Sequence, residues 1–504
     1  MKNVVSVENM RKSDAKTTET TPAVELMERA AKGIFEAIES EGIKAPVAVV
    51  CGIGNNAGDG FALAELLCDA KIDCTIFLLS DKFSESGKYY FDRCREKGVK
   101  VSEKLNLEGF GIVVDCIFGV GLHGNIGEPY RSAIEKINSS GAYVVSADIN
   151  SGLGGDSGLP TDGIAVKSDL TVSVGSFKSG HFLNSAKDFI GRKVNVDIGI
   201  ELLEEPARLI EAKDIAGLFV RERNDANKGD FGYVALVGGS TDYSGAAKLA
   251  NLSLSALRAG AGVSKLAVPR SIANSVMPYL LESTLFLLDD FDGQYSFSHN
   301  TTEKLLRNTK AAAIGMGMGR SVEVRRLLQY ALCEYSGRLV VDADGLNELS
   351  ELSLPSFKNS SCRLILTPHP KEFERLSGKK IADFKEDIIG AAKEYAKLSG
   401  AILLLKGPTT VVTDGDTVYL VDRGTVGMST AGSGDVLSGI LAGICGYVKD
   451  EELLLGVAAG AYLNGLAGEL AAGEIPAASM LSSDTAAHIP AAMAEIIKNG
   501  EQPD

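Results

Sequence analysis

The sequence predicts an α/β protein of two domains, each with a mostly parallel β-sheet between two layers of helices. The chain of 504 residues is longer than one hydrophobic core usually organises. Two segments, which start at residues 45 and 233, each predict a buried strand, a glycine-rich turn and a helix, the unit that builds α/β folds. Each segment begins a series of short β-branched runs, so we expect two three-layer α/β/α domains.

The two series of predicted strands define the two domains. The first run, APVAVVCG, is followed by CTIFLLS, GIVVDCIFG, AYVVSADIN and DLTVSVG. The second series begins with YVALVGGS and continues with SKLAVP, AAAIGMG, LVVDAD, LILTPHP, AILLLKG and TVYLV. The segment that separates the two series predicts a boundary near residue 210, and therefore domains at residues 1–210 and 211–504.

Composition and charge exclude several classes of protein. The net charge of −15 argues against nucleic acid or an anionic membrane as the main partner, because both attract positive surfaces. The eight cysteines form no CxxC pair and the five histidines are scattered, so we expect reduced thiols and no zinc site. No apolar run has the length of a membrane span, and the first residues lack the apolar core of a signal peptide. We therefore expect a cytoplasmic protein without a membrane partner, and a homo-oligomer of unspecified size.

The first glycine-rich turn, GIGNNAGDG at residues 52–60, follows a strand and opens a helix. Glycines let backbone N–H groups approach an anion, and a helix N-terminus adds a favourable dipole. Three residues separate Gly54 from Gly58, so the spacing is not the GxGxxG of a dinucleotide-binding dehydrogenase. Taken alone, this turn is more often structural than functional.

Polar side chains follow three further strands of the first series. Asp115 ends one strand, Asp148 and Ser151 follow the next, and Lys178 and His181 follow the one after. Each carboxylate alone is more often a turn former than a catalytic group. Ligands of open parallel sheets bind beyond the carboxyl ends of the strands, where these side chains would converge. Their joint position therefore predicts a functional site.

Four motifs, NNAGDGFALA, DCIFGVGLHG, SADINSG and FKSGH, together resemble the NAD(P)H-hydrate epimerase family over about residues 20–200. The resemblance implies a Rossmann-like three-layer domain that interconverts the R and S forms of hydrated NADH and NADPH at C6. It implies that Asp148 is the acid/base group, assisted by Lys178. It assigns the nucleotide to these residues: Asn55, Asn56, Ala57, Gly58, Asp59, Gly119, Val120, Gly121, Leu122, His123, Gly124, Asn125 and Asp148.

The same resemblance implies a bound potassium ion held by oxygens of Asn56, Asp115 and Ser151, which are ligands that hard cations prefer. The sequence departs from the family pattern at two positions. Ala57 stands where the family usually has glycine, and Asn150 stands where it usually has proline. We expect the methyl group to tighten the phosphate turn and the lost proline to free the backbone beside Asp148, with an effect on rate.

The strongest single signal lies in the second half, in STAGSGDVLSGILAGICGYV at residues 429–448. Gly432, Ser433 and Gly434 predict a tight turn whose N–H groups open a helix, and Asp435 follows at the first helical positions. This arrangement suits an anion hole for a transferring phosphoryl group and a carboxylate base for the attacking hydroxyl. The structural alternative is a helix cap whose aspartate only complements the dipole.

Further motifs extend this resemblance along the second half. LLLKGPTT, TPHPKEFERL, AIGMGMGR and VVDADGLNEL follow predicted strands, and NKGDFGYVALVGGSTDYSGAAKLA begins the half. From about Arg223 to Ile497 they resemble the ADP-dependent NAD(P)H-hydrate dehydratases of the ribokinase-like superfamily. The resemblance assigns the adenine nucleotide to Lys406, Gly407, Pro408, Thr409, Thr410 and Gly434. It assigns the hydrated dinucleotide to Ala246, Gly317, His369 and Asp435.

Two residues depart from this family's pattern: Asn227 replaces a usual histidine and Lys371 a usual glycine. The resemblance implies dehydration of the S form back to NAD(P)H, with ADP as phosphoryl donor, magnesium on its phosphates, and AMP and phosphate as products. Phosphorylation by way of Asp435 would turn a poor leaving group into a good one. Two alternatives remain at this point, a ribokinase-like kinase of a small alcohol or vitamin precursor and a non-catalytic nucleotide sensor.

Overall fold

The computed structural model describes residues 1–122, 124–221, 223–252 and 258–500, without the side chains of residues 355 and 356. The chain divides into two compact units, which we call the N-terminal unit (Asn3–Ala207) and the C-terminal unit (Met1–Lys2 with Arg208–Asp504). Each unit is an α/β structure with helices against its sheet, so the predicted fold class is confirmed.

The N-terminal unit is built on a seven-stranded sheet in which every neighbouring pair is parallel, in the order β4-β3-β2-β5-β6-β7-β9. The strands of this part of the chain are β1 (Lys2–Val5), β2 (Val47–Cys51), β3 (Cys74–Leu78), β4 (Lys100–Ser102), β5 (Ile112–Cys116), β6 (Tyr143–Ala147), β7 (Ser168–Val174), β8 (Phe177–Lys178) and β9 (Ile190–Val196). The helices are α1 (Val7–Thr17), α2 (Ala23–Ser40), α3 (Gly54–Asp69), α4 (Glu85–Glu96), α5 (Tyr130–Asn138) and α6 (Ala186–Phe189).

Strand β2 shows why its sequence is a continuous apolar run. Val47, Val49 and Cys51 pack in the core cluster that includes side chains of α2 and α3. Ala48 and Val50 face the other way, into the cluster that includes side chains of α5. Side chains of a strand alternate between the two faces, so a strand covered on both sides must be apolar throughout.

The C-terminal unit has a larger sheet, in the order β13-β12-β11-β16-β17-β18-β19-β20-β21-β10. Only β20 runs antiparallel to its two neighbours in this order. The strands are β10 (Ala207–Leu209), β11 (Tyr233–Gly238), β12 (Val263–Pro269), β13 (Thr284–Leu288), β14 (Asp290–Phe291), β15 (Gln294–Tyr295), β16 (Ala311–Met316), β17 (Arg338–Val341), β18 (Arg363–Leu366), β19 (Ile402–Leu405), β20 (Thr410–Thr413) and β21 (Val418–Val421).

The C-terminal unit has thirteen α-helices among the described residues. They are α7 (Ala212–Ile215), α8 (Ser244–Asn251), α9 (Ala273–Val276), α10 (His299–Leu306), α11 (Val322–Glu334), α12 (Asp344–Leu349), α13 (Leu354–Lys358), α14 (Pro370–Ser377), α15 (Ile381–Phe384), α16 (Ile388–Ser399), α17 (Ser433–Cys445), α18 (Leu453–Glu474) and α19 (Ser482–Gly500). Among the described residues, α18 alone is long and apolar enough to cross a membrane, and 78% of its apolar window is buried inside the unit. A helix that is apolar all round and packed in this way is typical of a core helix.

The observed strands agree with the sequence, whereas the first glycine-rich turn differs from its prediction. Every predicted run coincides with a strand of the sheet it was assigned to. The predicted turn at residues 52–60 is shorter than expected, because α3 already begins at Gly54 and places Asn55 to Asp59 in its first turns. Its N-cap residue, Ile53, is extended and gives no side-chain cap. The Gly54 N–H donates to the Lys82 carbonyl at 3.1 Å, whereas those of Asn55 and Asn56 have no acceptor in the described part of the chain.

Candidate active sites

A cavity of about 430 Å³ lies at the carboxyl ends of β2, β5 and β6 in the N-terminal unit. Nine of the residues predicted for this site line it: Asn55, Asn56, Asp59, Gly119, Val120, Gly121, Leu122, Asp148 and Lys178. Six more do not line it, namely Ala57, Gly58, Asp115, Gly124, Asn125 and Ser151. His123 lies outside the described residues.

The packing of α3 explains why Ala57 and Gly58, two residues of the first glycine-rich motif, do not line the cavity. Ala57 is fully buried among the core side chains of the unit, so its methyl group contacts the core and does not tighten the predicted phosphate turn. A Cβ on Gly58 would lie 2.5 Å from Met27 Cε and 2.9 Å from Gly87 Cα, so glycine there permits close helix packing. Asn55, Asn56 and Asp59 are on the face of α3 that lines the cavity.

Asp148 and Lys178 form a buried ion pair at the cavity. The Lys178 ammonium donates to Asp148 Oδ1 and also to the carbonyl of Val174, at 2.8 Å. Burial alone would raise the pKa of Asp148, but the charge and hydrogen bond of Lys178 outweigh it, and the net pKa is lowered. His181 fixes both residues, since its Nε2 lies 2.8 Å from the Asp148 carbonyl and its Nδ1 accepts from the Lys178 N–H.

Asp148 has a backbone φ of 65°, a left-handed conformation that non-glycine residues seldom adopt. The neighbouring Asn150 supports this backbone. Its buried amide donates to the carbonyls of Val166 and Phe189 and to Ser168 Oγ, and its Oδ1 accepts from Thr171 Oγ1 at 2.6 Å. The expected loosening at Asn150 is therefore absent, because the amide ties the segment to its neighbours.

The three proposed potassium ligands differ in how their polar atoms are satisfied. Asp115 is fully buried and accepts from the hydroxyls of Ser151 and Ser146 and from the backbone N–H groups of Ser151 and Ile117. Ser151 Oγ also accepts from the Phe118 N–H at 2.8 Å. Asn56 is only 5% exposed, yet neither amide atom has a hydrogen-bond partner among the described residues. A buried amide of this kind is suited to bind a ligand.

The second group of residues follows five neighbouring strands of the C-terminal sheet. Ala246 lies after β11, Gly317 after β16, His369 after β18 and Lys406 after β19. Asp342, which was not among the predicted residues, directly follows β17 between them. Because the carboxyl ends of parallel strands share one edge, the sheet brings these residues to the same side.

Asp342 and Lys406 form the centre of this group. Lys406 Nζ donates to Asp342 Oδ1 at 2.8 Å and lies 3.9 Å from Glu372 Oε2, while Ser438 of α17 donates to Asp342 Oδ2 at 2.9 Å. Burial lowers the pKa of Lys406, but the two carboxylates outweigh it and the net pKa is raised. The lysine is therefore held as a cation beside the start of α17.

The start of α17 lies directly against this ion pair. A Cβ on Gly434 would lie 3.1 Å from Asp342 Oδ2 and 3.5 Å from Lys406 Nζ, so glycine lets the helix start approach the pair. The N-cap is Gly432 with φ 89°, and it gives no side-chain cap. The Ser433 N–H is directed at the Thr430 carbonyl, whereas those of Gly434 and Asp435 have no acceptor in the described part of the chain. Open donors next to a lysine suit a phosphate group.

Asp435 is the third residue of α17, and its carboxylate has no hydrogen-bond partner among the described residues. Burial, and then the negative charge of Asp342, raise its pKa to about 7, with Lys406 acting in the opposite direction. A carboxylate poised near neutral pH suits a general base.

The other residues predicted for the C-terminal site are located as follows in the structure. His369 is the N-cap of α14: its Nδ1 accepts from the N–H groups of Lys371 and Glu372, and Glu372 Oε2 accepts the N–H of His369 in return. Gly317 has φ 61°, and a Cβ there would lie 2.8 Å from Ala246 Cβ, so the two are in contact. Thr409 is buried and donates to Asp422 Oδ1 at 2.9 Å. Gly407 and Pro408 lie between β19 and β20, and Thr410 is the first residue of β20.

Several residues of both sites were not predicted from the sequence. Asp342 was noted only as part of a turn, although its place directly after a strand was the available signal. In the first site, α1 and its C-cap add Met10, Arg11, Asp14 and Thr18 to the cavity wall. No motif pointed to this helix.

Both halves of the chain match families of known proteins. Residues 234–491 match the family model described as NAD(P)H-hydrate dehydratase, and residues 23–180 match the model of the YjeF-related protein N-terminus. A bifunctional NAD(P)H-hydrate repair enzyme of Thermofilum pendens is 34% identical over 89% of this chain and 88% of its own length. One of Archaeoglobus fulgidus is 35% identical over 88% of this chain and 89% of its own length.

The chain belongs to the family of bifunctional NAD(P)H-hydrate repair enzymes. The family resemblance inferred from the motifs is thereby confirmed for both halves. Among solved structures, a ribokinase-like superfamily protein of Enterococcus faecalis has a TM-score of 0.50 at 21% identity, covering 59% of this chain and 98% of its own. This likeness concerns the fold alone, and it confirms the ribokinase-like architecture.

Proposed function

We propose that this chain repairs hydrated NADH and NADPH by two reactions, epimerisation at C6 and ADP-dependent dehydration of the S form, releasing AMP and phosphate. The main support is that each unit contains its own aspartate site. Asp148 is paired with Lys178 in one unit, and Asp435 lies beside Lys406 in the other. Membership of the bifunctional repair family supports it. We assign the epimerase to residues 1–210 and the dehydratase to residues 211–504.

In the dehydratase site, Lys406 to Thr410 and Gly434 would bind the adenine nucleotide, with its phosphates at the open donors of α17. Ala246, Gly317, His369 and Asp435 would contact the hydrated dinucleotide. Asp435 would take the proton of the C6 hydroxyl while the terminal phosphoryl group of ADP passes to that oxygen. Phosphate then leaves from C6 as a proton is lost from C5, which restores the dihydronicotinamide ring.

Magnesium would accompany the ADP phosphates and neutralise their charge, as is usual in phosphoryl transfer. Within the described residues no group of three or more histidine, cysteine, aspartate or glutamate side chains forms a cage for a metal ion. Asp342 is held by Lys406 and Ser438, so the chain offers few free carboxylate oxygens here. This suits an ion that is carried in largely by the nucleotide.

In the epimerase site, the lining residues Asn55, Asn56, Asp59 and Gly119 to Leu122 would bind the hydrated nucleotide, with Asp148 as acid/base group. We include His123, Gly124 and Asn125 of the same loop, and Ala57 and Gly58 through the backbone of α3. Lys178 would keep the Asp148 carboxylate ionised and in place, as its ion pair and the lowered pKa of Asp148 support.

A potassium ion fits the oxygens of Asn56, Asp115 and Ser151 by their chemistry, and the orphaned amide of Asn56 supports this site. The ion would supply positive charge beside Asn56, which lines the cavity. Asp115 and Ser151 are hydrogen-bonded to each other at 2.5 Å, so binding would compete with that contact. We further propose a cytoplasmic homo-oligomer whose partners are small molecules, with neither nucleic acid nor membrane among them.

The test is incubation of the purified chain with hydrated NADH and ADP while the near-ultraviolet absorbance of the dihydronicotinamide is followed. We expect absorbance to return, completely if both epimers are consumed. A kinase of a small alcohol would consume nucleotide with such an alcohol and restore no absorbance, and a sensor would bind without turnover. Running ATP in place of ADP, on the same preparation, identifies the preferred donor.

A further inference from the structure

Helix α1 forms one wall of the epimerase cavity, although it precedes the part of the chain that matches the family model at residues 23–180. Strand β1, just before the helix, pairs with β8, and Val5 lies opposite Lys178 in that pairing. The Val7 N–H donates to Asp156 Oδ1 at 2.7 Å, and Arg11 donates to the carbonyl of Val120 in the cavity loop. The helix is therefore held against both the lysine strand and the loop after β5.

Asp14 is the carboxylate that α1 contributes to this wall. It is half-buried, and within the described residues its carboxyl group has neither a hydrogen bond nor an ion pair. It lies in the second half of the helix, where an aspartate neither caps the N-terminus nor favours the helix dipole. A structural role leaves this side chain unexplained, whereas a position in the cavity wall makes it available to a ligand.

The electrostatics of the cavity support a second proton-transfer group. Burial raises the pKa of Asp14, the charge of Lys178 opposes this, and the charge of Asp148 adds to it, with a net increase. Asp59, also in the wall, has a pKa raised well above its ordinary value, by burial first and then by Asp148. The cavity thus combines one carboxylate held ionised by Lys178 with two carboxyl groups that retain a proton more readily.

We propose that Asp14 is the second proton-transfer group of the epimerase, acting with Asp148, a role that rests on the epimerase function proposed above. Asp14 gives its proton to the C6 hydroxyl, the C6–O bond breaks, and water leaves with the bonding pair. The lone pair of the ring nitrogen N1 forms a C6=N1 iminium bond. Water then adds to the other face of C6, the π pair returns to N1, and Asp148 takes the proton. The reverse direction uses the two groups in exchanged roles.

The test compares Asp14→Asn with Glu8→Gln, a matched control on an exposed part of the same helix. We expect Asp14→Asn to lower the kcat of epimerisation about 100-fold or more, the usual size of a general acid–base contribution. Its KM should stay within about threefold, and Asp14→Glu should restore part of the rate. Glu8→Gln should leave the rate of epimerisation unchanged. None of these variants should change the rate at which the S form is dehydrated. Separation of the two epimers by chromatography gives the rates.

A second measurement uses the unmodified chain in water enriched in oxygen-18. Cleavage of the C6–O bond predicts one labelled oxygen for each inversion, above the exchange seen without enzyme. Inversion without label would overturn the proposal even if Asp14→Asn did not fold, and so would an Asp14→Asn rate within about threefold of the unmodified chain. A chain that fails to interconvert the epimers at all overturns the epimerase function itself, together with this inference.

Discussion

The two sites use an aspartate at the carboxyl edge of a parallel sheet, but the nearby lysine is placed differently in each. In the N-terminal unit Lys178 pairs with Asp148 itself, and the pKa of Asp148 is lowered. In the C-terminal unit Lys406 pairs with Asp342 instead, and the pKa of Asp435 rises to about 7. Burial favours a raised pKa in both sites, and the partner of the nearby lysine decides whether the aspartate has a lowered pKa or one near neutral pH.

The largest expected effect is the loss of dehydration in Asp435→Asn. The substitution keeps the N–H groups of α17 and the Lys406–Asp342 pair but removes the base. We expect turnover to fall about 100- to 10,000-fold with ADP affinity nearly unchanged, measured by absorbance and by calorimetry on the same variant. An aspartate that only favours the helix dipole predicts little change, and the N-cap position already belongs to Gly432. Turnover within tenfold of the unmodified chain would leave Asp435 a structural role.

Asp148→Asn is the corresponding substitution in the epimerase site and serves as a control for that experiment. It should suppress epimerisation by a similar factor while dehydration of the S form continues, because the amide cannot exchange a proton near neutral pH. Loss of both reactions in either variant would contradict the independence of the two sites.

The sequence predicted most of the scaffold of these sites and little of their electrostatics. The strand runs and the residues after them were readable because β-branched runs and glycine turns are local signals. The pairing of Lys406 with Asp342 joins residues 64 positions apart in the chain, and no local pattern encodes it. Asp14 was missed for a similar reason, since it reaches the cavity through the pairing of β1 with β8. Asn150 was misjudged because its four partners come from distant segments.

The next largest expected effect is on the pH dependence of dehydration. Asp435 must be ionised to act as a base, so kcat/KM for dehydration should fall about tenfold per unit below a pKa near 7. Removal of the Asp342 charge lowers the pKa of Asp435, and the released Lys406 lowers it further. Asp342→Asn should therefore move this acid limb to lower pH by about one unit or more. The epimerase should show no such limb from Asp148, whose pKa is lowered. A limb that stays in place in Asp342→Asn would contradict the assigned cause.

The smallest expected effect is on stability. The pKa of Asp435 is about 7 in the folded protein, above its ordinary value of 3.8, so the folded state holds this proton more tightly than the unfolded state. Its contribution to the free energy of unfolding is therefore fully present below about pH 4 and is lost as the pH rises towards 7. Asparagine carries no charge and avoids this loss. Asp435→Asn should melt a few degrees higher than the unmodified chain at about pH 8, with a difference that shrinks towards about pH 4. Thermal unfolding of both chains over this pH range is the measurement. An unmodified chain that gains stability relative to the variant as the pH rises would reverse the sign, and would mean that Asp435 is stabilised as an anion in the way that Asp148 is.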